Sequence, residues 1–270
     1  MTALQVWIDG VGLLGPGLDS WAGAQAVLRG AATPATLPTV LPIPVRLPAA
    51  ERRRAGAAIK LALAVADEAV ALAQVDPATL ATVFTSSSGE GSNCHALCEA
   101  LAAPAPMVSP TRFTNSVHNA AAGCWHIAVA SRAASTSLCA FDGSFGAGLI
   151  EAAVSVNAGA APMLLVASDS PYPEPLHATR PLPDHFGIAL VLTPAPGPRT
   201  LAALTITLAP ATAQCTGCDG AELDALRRAI PAARGLPLLV ALAQQRTQHI
   251  MLDYLATLRV QVDVAPTAAP

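Results

Sequence analysis

The chain has 270 residues, enough for one large or two small domains with a sizeable core and too many for a disulfide-framed miniprotein. It is 53% hydrophobic, 4% aromatic and 12% charged, with 59 alanines, 24 prolines and 19 glycines, a composition that excludes a disordered chain. A net charge of −3 gives no footprint for nucleic acid or an anionic membrane, and so little charge on so apolar a chain points either to surface covered by a partner or to an alanine bias alone.

The apolar run 58–75 is interrupted by Lys60, Asp67 and Glu68, so no membrane span is expected. The first ten residues lack a basic flank and carry Asp9, so no signal peptide and a cytoplasmic location are expected. Cys94, Cys98, Cys124, Cys139, Cys215 and Cys218 then read as reduced thiols.

Residues 4–8 form a short apolar run ending in Asp9-Gly10-Val11-Gly12, read as a buried strand and a glycine turn. A helix over 21–29 is capped from Asp19-Ser20 and stopped by Gly30, and five prolines make 31–48 an extended surface loop. Apolar residues at three and four predict the longest helix over 52–74, ended by Asp76-Pro77. A strand at 81–85 runs into the Ser/Gly segment 86–92, followed by a helix at 93–101 and a proline-rich loop at 104–110. A helix over 115–130 is expected to pack tightly through Ala120-Ala121-Ala122-Gly123. A strand at 136–141, a helix at 143–157 stopped by Gly159, and strands at 163–167 and 187–192 follow. Beyond a soft boundary near Pro198 come an edge strand at 201–208, a helix at 221–229, a strand at 237–243, a helix at 247–258 and a strand at 260–264. The alternation predicts an α/β sheet with helices on both faces, its short continuous apolar strands buried on both sides.

The most informative segment is 135–153, where a strand ends in a turn of small residues that opens a helix. That geometry presents one side chain beside the positive helix end, the usual place of a nucleophile. Asp142-Gly143-Ser144-Phe145-Gly146 is not a Gly-x-Ser-x-Gly elbow, because glycine is missing two residues before the serine.

Here the chain resembles the β-ketoacyl synthases of the thiolase fold, and in particular their short, ketosynthase-like chain length factor relatives. Asn119-Ala120-Ala121-Ala122-Gly123 is similar to the family's Asn-x-x-Ala-Gly, and Ser109-Pro110-Thr111-Arg112-Phe113 to its Ser-Pro-x-x-Phe. Gly159 looks like the glycine ending the nucleophile helix, Asp9-Gly10-Val11-Gly12-Leu13-Leu14 like the opening strand and turn, and Gly187-Ile188-Ala189-Leu190-Val191-Leu192 like the last strand of the N-terminal half. Nineteen residues after Gly123 and seventeen before Gly159, where the family has its cysteine, stands Asp142.

The resemblance covers 4–192, and the remainder contains one histidine, His249, without the family's glycine and threonine loops. It implies a thiolase-like half fold, with a mostly parallel five-stranded sheet and helices on both faces, over residues 1–198. A small α/β extension, 199–270, would pack on the same sheet or core. It also implies a non-catalytic subunit, without cofactor, that pairs with a full-length ketosynthase as a heterodimer and shapes the tunnel for a chain carried by acyl carrier protein. By analogy with short subunits of aryl polyene and xanthomonadin-type pigment synthesis, that chain would be a polyene.

Phe113, His118, Asn119, Trp125, Asp142 and Phe145 are the tunnel or interface candidates, with Phe113 as a gate; ordinary core aromatics, a capping His118 and a helix-capping Asp142 are the plain alternatives. An acyltransferase or thioesterase using Cys139 or Ser144 is the rival function, and a homodimeric acyl-binding module a third, although Cys139 is expected inside the strand as a small buried hydrophobe. Cys215-Thr216-Gly217-Cys218 lacks a second pair for zinc, and Cys94-His95 with Cys98 reads as buried packing rather than metal. The segment 86–92 lacks the lysine of a phosphate loop, and Arg52-Arg53-Arg54 is a solvated helix start or an attractor of an acidic carrier protein.

Overall fold

The computed structural model describes residues 3–267. Its eight strands are β1 (Leu4–Leu14), β2 (Ala81–Thr85), β3 (Ser135–Leu138), β4 (Met163–Asp169), β5 (Phe186–Thr193), β6 (Ala202–Pro210), β7 (Gln248–Asp253) and β8 (Leu258–Pro266). They form one sheet in the order β3-β2-β4-β5-β1-β6-β8-β7. β2 pairs in parallel with β3 and β4, whereas β5 is antiparallel to both β4 and β1. Four of the first five strands therefore point one way and β5 opposes them. This is the expected mostly parallel half-thiolase sheet. The pairings β1–β6, β6–β8 and β8–β7 are all antiparallel, so the last three strands enlarge the same sheet to eight.

The helices are α1 (Gln25–Leu28), α2 (Ala49–Arg54), α3 (Ala57–Ala73), α4 (Gly91–Ala102), α5 (Pro110–Thr114), α6 (Ala120–Ala128), α7 (Ser144–Gly159), α8 (Leu176–Thr179), α9 (Ala221–Ala229) and α10 (Leu236–Gln244). One core gathers α3 and α6, with Trp125, Ile59 and Val65, on one face of the sheet. The other gathers α7, α10 and the 3₁₀ turn Pro231–Gly235 on the opposite face, and takes side chains from β1 through β8.

The glycines at the start of the chain are not a turn. β1 runs straight through them with a register shift between Ile8 and Gly10. A Cβ on Gly10 would lie 2.1 Å from the Ala69 carbonyl oxygen, and one on Gly12 1.9 Å from that of Val65. The two glycines let α3 lie directly on the strand, and turn chemistry was the wrong reading of a close approach. Glu68 of α3 then accepts the Leu13 and Trp21 N–H groups at 2.9 and 2.7 Å, pinning the strand end and the following turn.

Other elements differ from expectation for identifiable reasons. The predicted helix over 52–74 is broken at Ala55-Gly56 into α2 and α3, and the predicted helix over 21–29 retains only α1. Residues 237–243, expected as a strand, belong to the helix α10, whose eight residues from Leu236 to Ala243 are all buried. A continuous apolar run suits a buried strand or a buried helix equally, and Pro237 in the first turn favours the helix. The helix expected over 247–258 is instead β7 and the turn into β8, because the apolar trio Ile250, Met251 and Leu252 pairs across to β8. β6, expected at the edge, lies between β1 and β8. Gly123, expected at a tight helix contact, has nothing within 4 Å of where its Cβ would stand.

Candidate functional site

β3 ends at Leu138, one residue before Cys139, so the thiol is exposed rather than buried in the strand. Its S–H points to the Ser87 carbonyl oxygen at 3.1 Å. The chain then turns through Phe141, at φ +51°, and the 3₁₀ turn Phe141–Gly143 into α7. Positive φ at a bulky residue is a strained conformation, of the kind that re-aims side chains at strand-to-helix turns. Ser144 closes the turn on itself: its hydroxyl donates to the Phe141 carbonyl at 2.7 Å and accepts the Ala140 N–H at 3.1 Å. Both rival nucleophiles are thus engaged with backbone, and among the described residues no histidine hydrogen-bonds to either.

Asp142 does not cap α7, whose first turn has no side-chain cap. Its carboxylate is held between two arginines instead, accepting from Arg180 at 2.7 Å and from Arg234 at 3.1 Å. Arg234 reaches on to Asp253 at 3.1 Å, and Asp253 accepts the Cys215 S–H at 3.2 Å. The Arg180 guanidinium lies over the Phe141 ring, 3.6 Å from its centroid, which fixes the cation at the strained turn. Burial, with Asp253 beside it, pushes the Cys215 thiol up, and burial takes Cys218 to about 12, so neither is a thiolate at neutral pH.

α7 can approach this cluster closely because it opens with glycines. A Cβ on Gly143 would be 2.2 Å from the Tyr254 carbonyl oxygen and one on Gly146 2.6 Å from that of Asp253. The end of β7 is thereby laid over the mouth of the site. From below, the fully buried Asp169 at the end of β4 accepts the Ser87 N–H at 2.7 Å, the Ser86 hydroxyl at 3.2 Å and the Ala232 N–H at 2.8 Å. Burial pushes its carboxyl pKa up, and these donors pull the other way.

The other candidates fall in three places. Trp125 and Phe145 are core residues, 0% and 1% exposed, on opposite faces of the sheet. Phe113, 68% exposed, stands on α5 in a segment that also exposes Leu101, Met107, Val108 and Val117. His118 lines a narrow recess with Ile59, Phe84, Glu90, Val117 and Ala121, while Asn119 lines a separate groove with His126, Ser135 and Ser137 beside β3. No hydrogen bond joins Asp142 to any of the other five; its partners are Arg180 and Arg234. Cys94 and Cys98 are exposed, not packed, and among the described residues no cluster of three metal-ligating side chains occurs.

Sequence reasoning missed Arg180, Arg234, Asp253 and Asp169. The first three lie 38, 92 and 111 residues from Asp142, beyond any local spacing. Asp169 did leave a trace, as a lone carboxylate closing the apolar run Met163–Asp169.

The profile described as "Beta-ketoacyl synthase, N-terminal domain" matches residues 20–248. The chain belongs to the β-ketoacyl synthase N-terminal domain family. Among solved structures, this β-ketoacyl synthase family member is similar to a chain of "Ketosynthase (ApeO) in Complex with its Chain Length Factor (ApeC) from Xenorhabdus doucetiae", with 23% identity, a TM-score of 0.72, and 97% of this chain and 99% of that one covered. It is similar to a chain of "The ishigamide ketosynthase/chain length factor" at 16% identity and a TM-score of 0.71, covering 98% and 100%. A chain of the AntDE:AntF complex, a type II acyl-carrier protein with its ketosynthase bound to the hexaketide, is matched at 11% identity and a TM-score of 0.73, again covering 98% and 100%. At these identities the likeness is one of fold. A search of the curated proteins finds no match. No helix is long and apolar enough to cross a membrane among the described residues.

Proposed function

We propose that this chain is the non-catalytic, chain-length-factor-like subunit of a cytoplasmic β-ketoacyl–carrier-protein synthase. It pairs with a full-length ketosynthase and forms one wall of the channel in which the acyl chain grows, in fatty-acid-like or polyene synthesis. The observation that carries the reading is Asp142: a carboxylate stands where the spacing from Gly123 and Gly159 would put the family's nucleophile, and both its oxygens accept from arginines. Decarboxylative condensation needs a thiolate to carry the acyl group and donors to stabilise the enolate. A carboxylate neutralised by two guanidiniums supplies neither.

Three further observations support a partnered chain. The matched chains are covered over 99% or 100% of their length, so they are of about this size. The exposed apolar residues Leu101, Met107, Val108, Phe113 and Val117 fall within one short segment, which reads as an interface awaiting a partner. β3 ends the sheet with its outer edge unpaired, and Asn119 and His126 line the groove beside it. Phe113, His118, Asn119 and Asp142 form the partner-facing set in this reading, with Trp125 and Phe145 supporting from the core.

Co-expression with a candidate full-length ketosynthase followed by size-exclusion chromatography is expected to give a 1:1 complex, and two separate peaks would overturn the pairing. Incubating the isolated chain with acyl-carrier-protein thioesters is expected to leave its mass unchanged. A stoichiometric acyl adduct lost in Cys139→Ala or Ser144→Ala would replace this reading with an acyltransferase or thioesterase.

A further inference from the structure

α4 carries two cysteines one helical turn apart, Cys94 and Cys98, and both are exposed. Residues four apart on a helix lie one above the other with Cβ atoms about 5–6 Å apart, so the two thiols project side by side from one face. Leu97 is the buried residue of α4, which leaves the thiols free at the surface. Among the described residues neither thiol makes a hydrogen bond, whereas Cys139 donates to the Ser87 carbonyl oxygen at 3.1 Å and Cys215 to Asp253 at 3.2 Å. An exposed pair of free thiols contributes no packing and is open to oxidation, so burial does not account for it.

What two such thiols can hold follows from their spacing. A disulfide requires Cβ atoms about 3.5–4.5 Å apart, closer than a turn of helix allows, so the pair does not close on itself while α4 is intact. A bridging ion fits where the direct bond does not. With metal–sulfur bonds of about 2.3 Å, sulfurs on opposite sides of one ion lie about 4.6 Å apart, a separation that these side chains reach from staggered rotamers. A third ligand is not at hand: His95 turns its Nε2 to Glu99 at 3.3 Å, and among the described residues no group of three His, Cys, Asp or Glu side chains comes together. Structural Zn(II) and the harder divalent ions require four or more ligands, whereas Cu(I) is selected by soft thiolates and is satisfied by two in a line.

We propose that Cys94 and Cys98 form a two-coordinate site for a soft monovalent cation, Cu(I). Binding breaks two S–H bonds and forms two S–Cu bonds; the two protons leave to solvent and the copper stays in the +1 state, so no oxidant or reductant takes part. Cys215 and Cys218 are the weaker pair, because the Cys215 thiol is engaged with Asp253 and burial pushes the Cys218 thiol up to about 12. The site is independent of Asp142 and of pairing with a ketosynthase.

The purified, reduced chain is titrated without oxygen against the coloured Cu(I) complex of bicinchoninate. The wild type is expected to withdraw one copper per chain, and Cys139→Ser and the double variant Cys215→Ser with Cys218→Ser do the same. Cys94→Ser and Cys98→Ser, small changes at exposed positions, each weaken retention by at least about a hundredfold, more than the loss of an outer partner costs a metal site. X-ray absorption of the one-copper form shows two sulfur neighbours and no nitrogen, and Zn(II) offered in place of copper stays with a competing dye. Failure of the wild type to take copper, retention unchanged in Cys94→Ser or Cys98→Ser, or loss of copper in the Cys215 and Cys218 double variant would each overturn the proposal. So would a third ligand in the absorption spectrum or equally tight binding of Zn(II).

Discussion

Asp169→Ala tests whether the mouth of the site is held together from beneath, because the Asp169 carboxylate joins two segments distant in the chain. Its Oδ1 accepts from Ser86 and Ser87, after β2, and its Oδ2 from the Ala232 N–H in the turn before α10. Truncation leaves the Ser87 and Ala232 N–H groups buried without acceptors, while the Ser86 hydroxyl can rotate to another partner. An unsatisfied buried donor costs about 1–3 kcal/mol, so two cost about 2–6 kcal/mol. That is a large fraction of the roughly 5–15 kcal/mol by which domains are stable. Asp169→Asn retains one oxygen but turns its NH₂ toward one of the two N–H groups, and is expected to lose about half as much. Urea denaturation should show a lower midpoint at constant slope, and hydrogen exchange should show lost protection at Ser87 and Ala232 together. A loss below about 1 kcal/mol, or protection kept at either amide, would refute the reasoning, since it would mean that the segments hold without the carboxylate.

Burial raises the carboxyl pKa of Asp67, Glu68, Glu90 and Asp169, so between the unfolded values of 3.8 and 4.5 and the raised folded values the native chain holds more protons than the unfolded one. Their contribution to stability therefore grows as pH falls through that window, while His185, lowered by burial, opposes it below 6.5. Glu68→Gln should flatten the acid side of a plot of urea midpoint against pH, and an unchanged profile would contradict the assignment. Ala160 ends α7 at φ +47°, where glycine pays no steric penalty, so Ala160→Gly should stabilise by about 0.5–1 kcal/mol, read as a higher midpoint of thermal unfolding. Gly12→Ala drives a methyl into the Val65 carbonyl and should cost about 3 kcal/mol or more. Gly123→Ala meets nothing and should leave the isolated chain as stable or more so, yet it should weaken the complex with a ketosynthase, measured by titration calorimetry, because Gly123 lines the groove beside β3.

What the residues revealed in advance follows from how local the determining physics is. β2 and α9 fall at the expected residues because a short continuous apolar run, and a helix with acids in its first turn and arginines in its last, are encoded within a few positions. α10 and β7 exchange their expected types because a short apolar run acquires its state from the sheet it joins. Gly10 and Gly12 were visible as special residues but not as a platform for α3, since the helix that needs them lies about 55 residues on. The position of Asp142 was legible through fixed distances to Gly123 and Gly159, which lie on the helices flanking it. Its partners Arg180 and Arg234 were not, because an ion pair across so much intervening chain has no local signature.

Those arginines also bear on the proposed replacement of a nucleophile at residue 142. Cations beside a helix N-terminus are the surroundings that lower a thiol's pKa and stabilise its anion. Arg180 and Arg234 provide such surroundings at residue 142, so the structure has an electropositive seat for an anion there and holds the Asp142 carboxylate in it. A thiolate placed there would still lack a proton donor and an enolate-stabilising pair, because among the described residues no histidine hydrogen-bonds to Asp142, Arg180 or Arg234. Installing sulfur alone would also take from the largely buried Arg180 guanidinium its carboxylate partner when the thiol is protonated, while Arg234 keeps Asp253. The carboxylate is thus integrated with Arg234, Asp253 and the end of β7, and placing a thiol at residue 142 would require rebuilding that network rather than exchanging one residue.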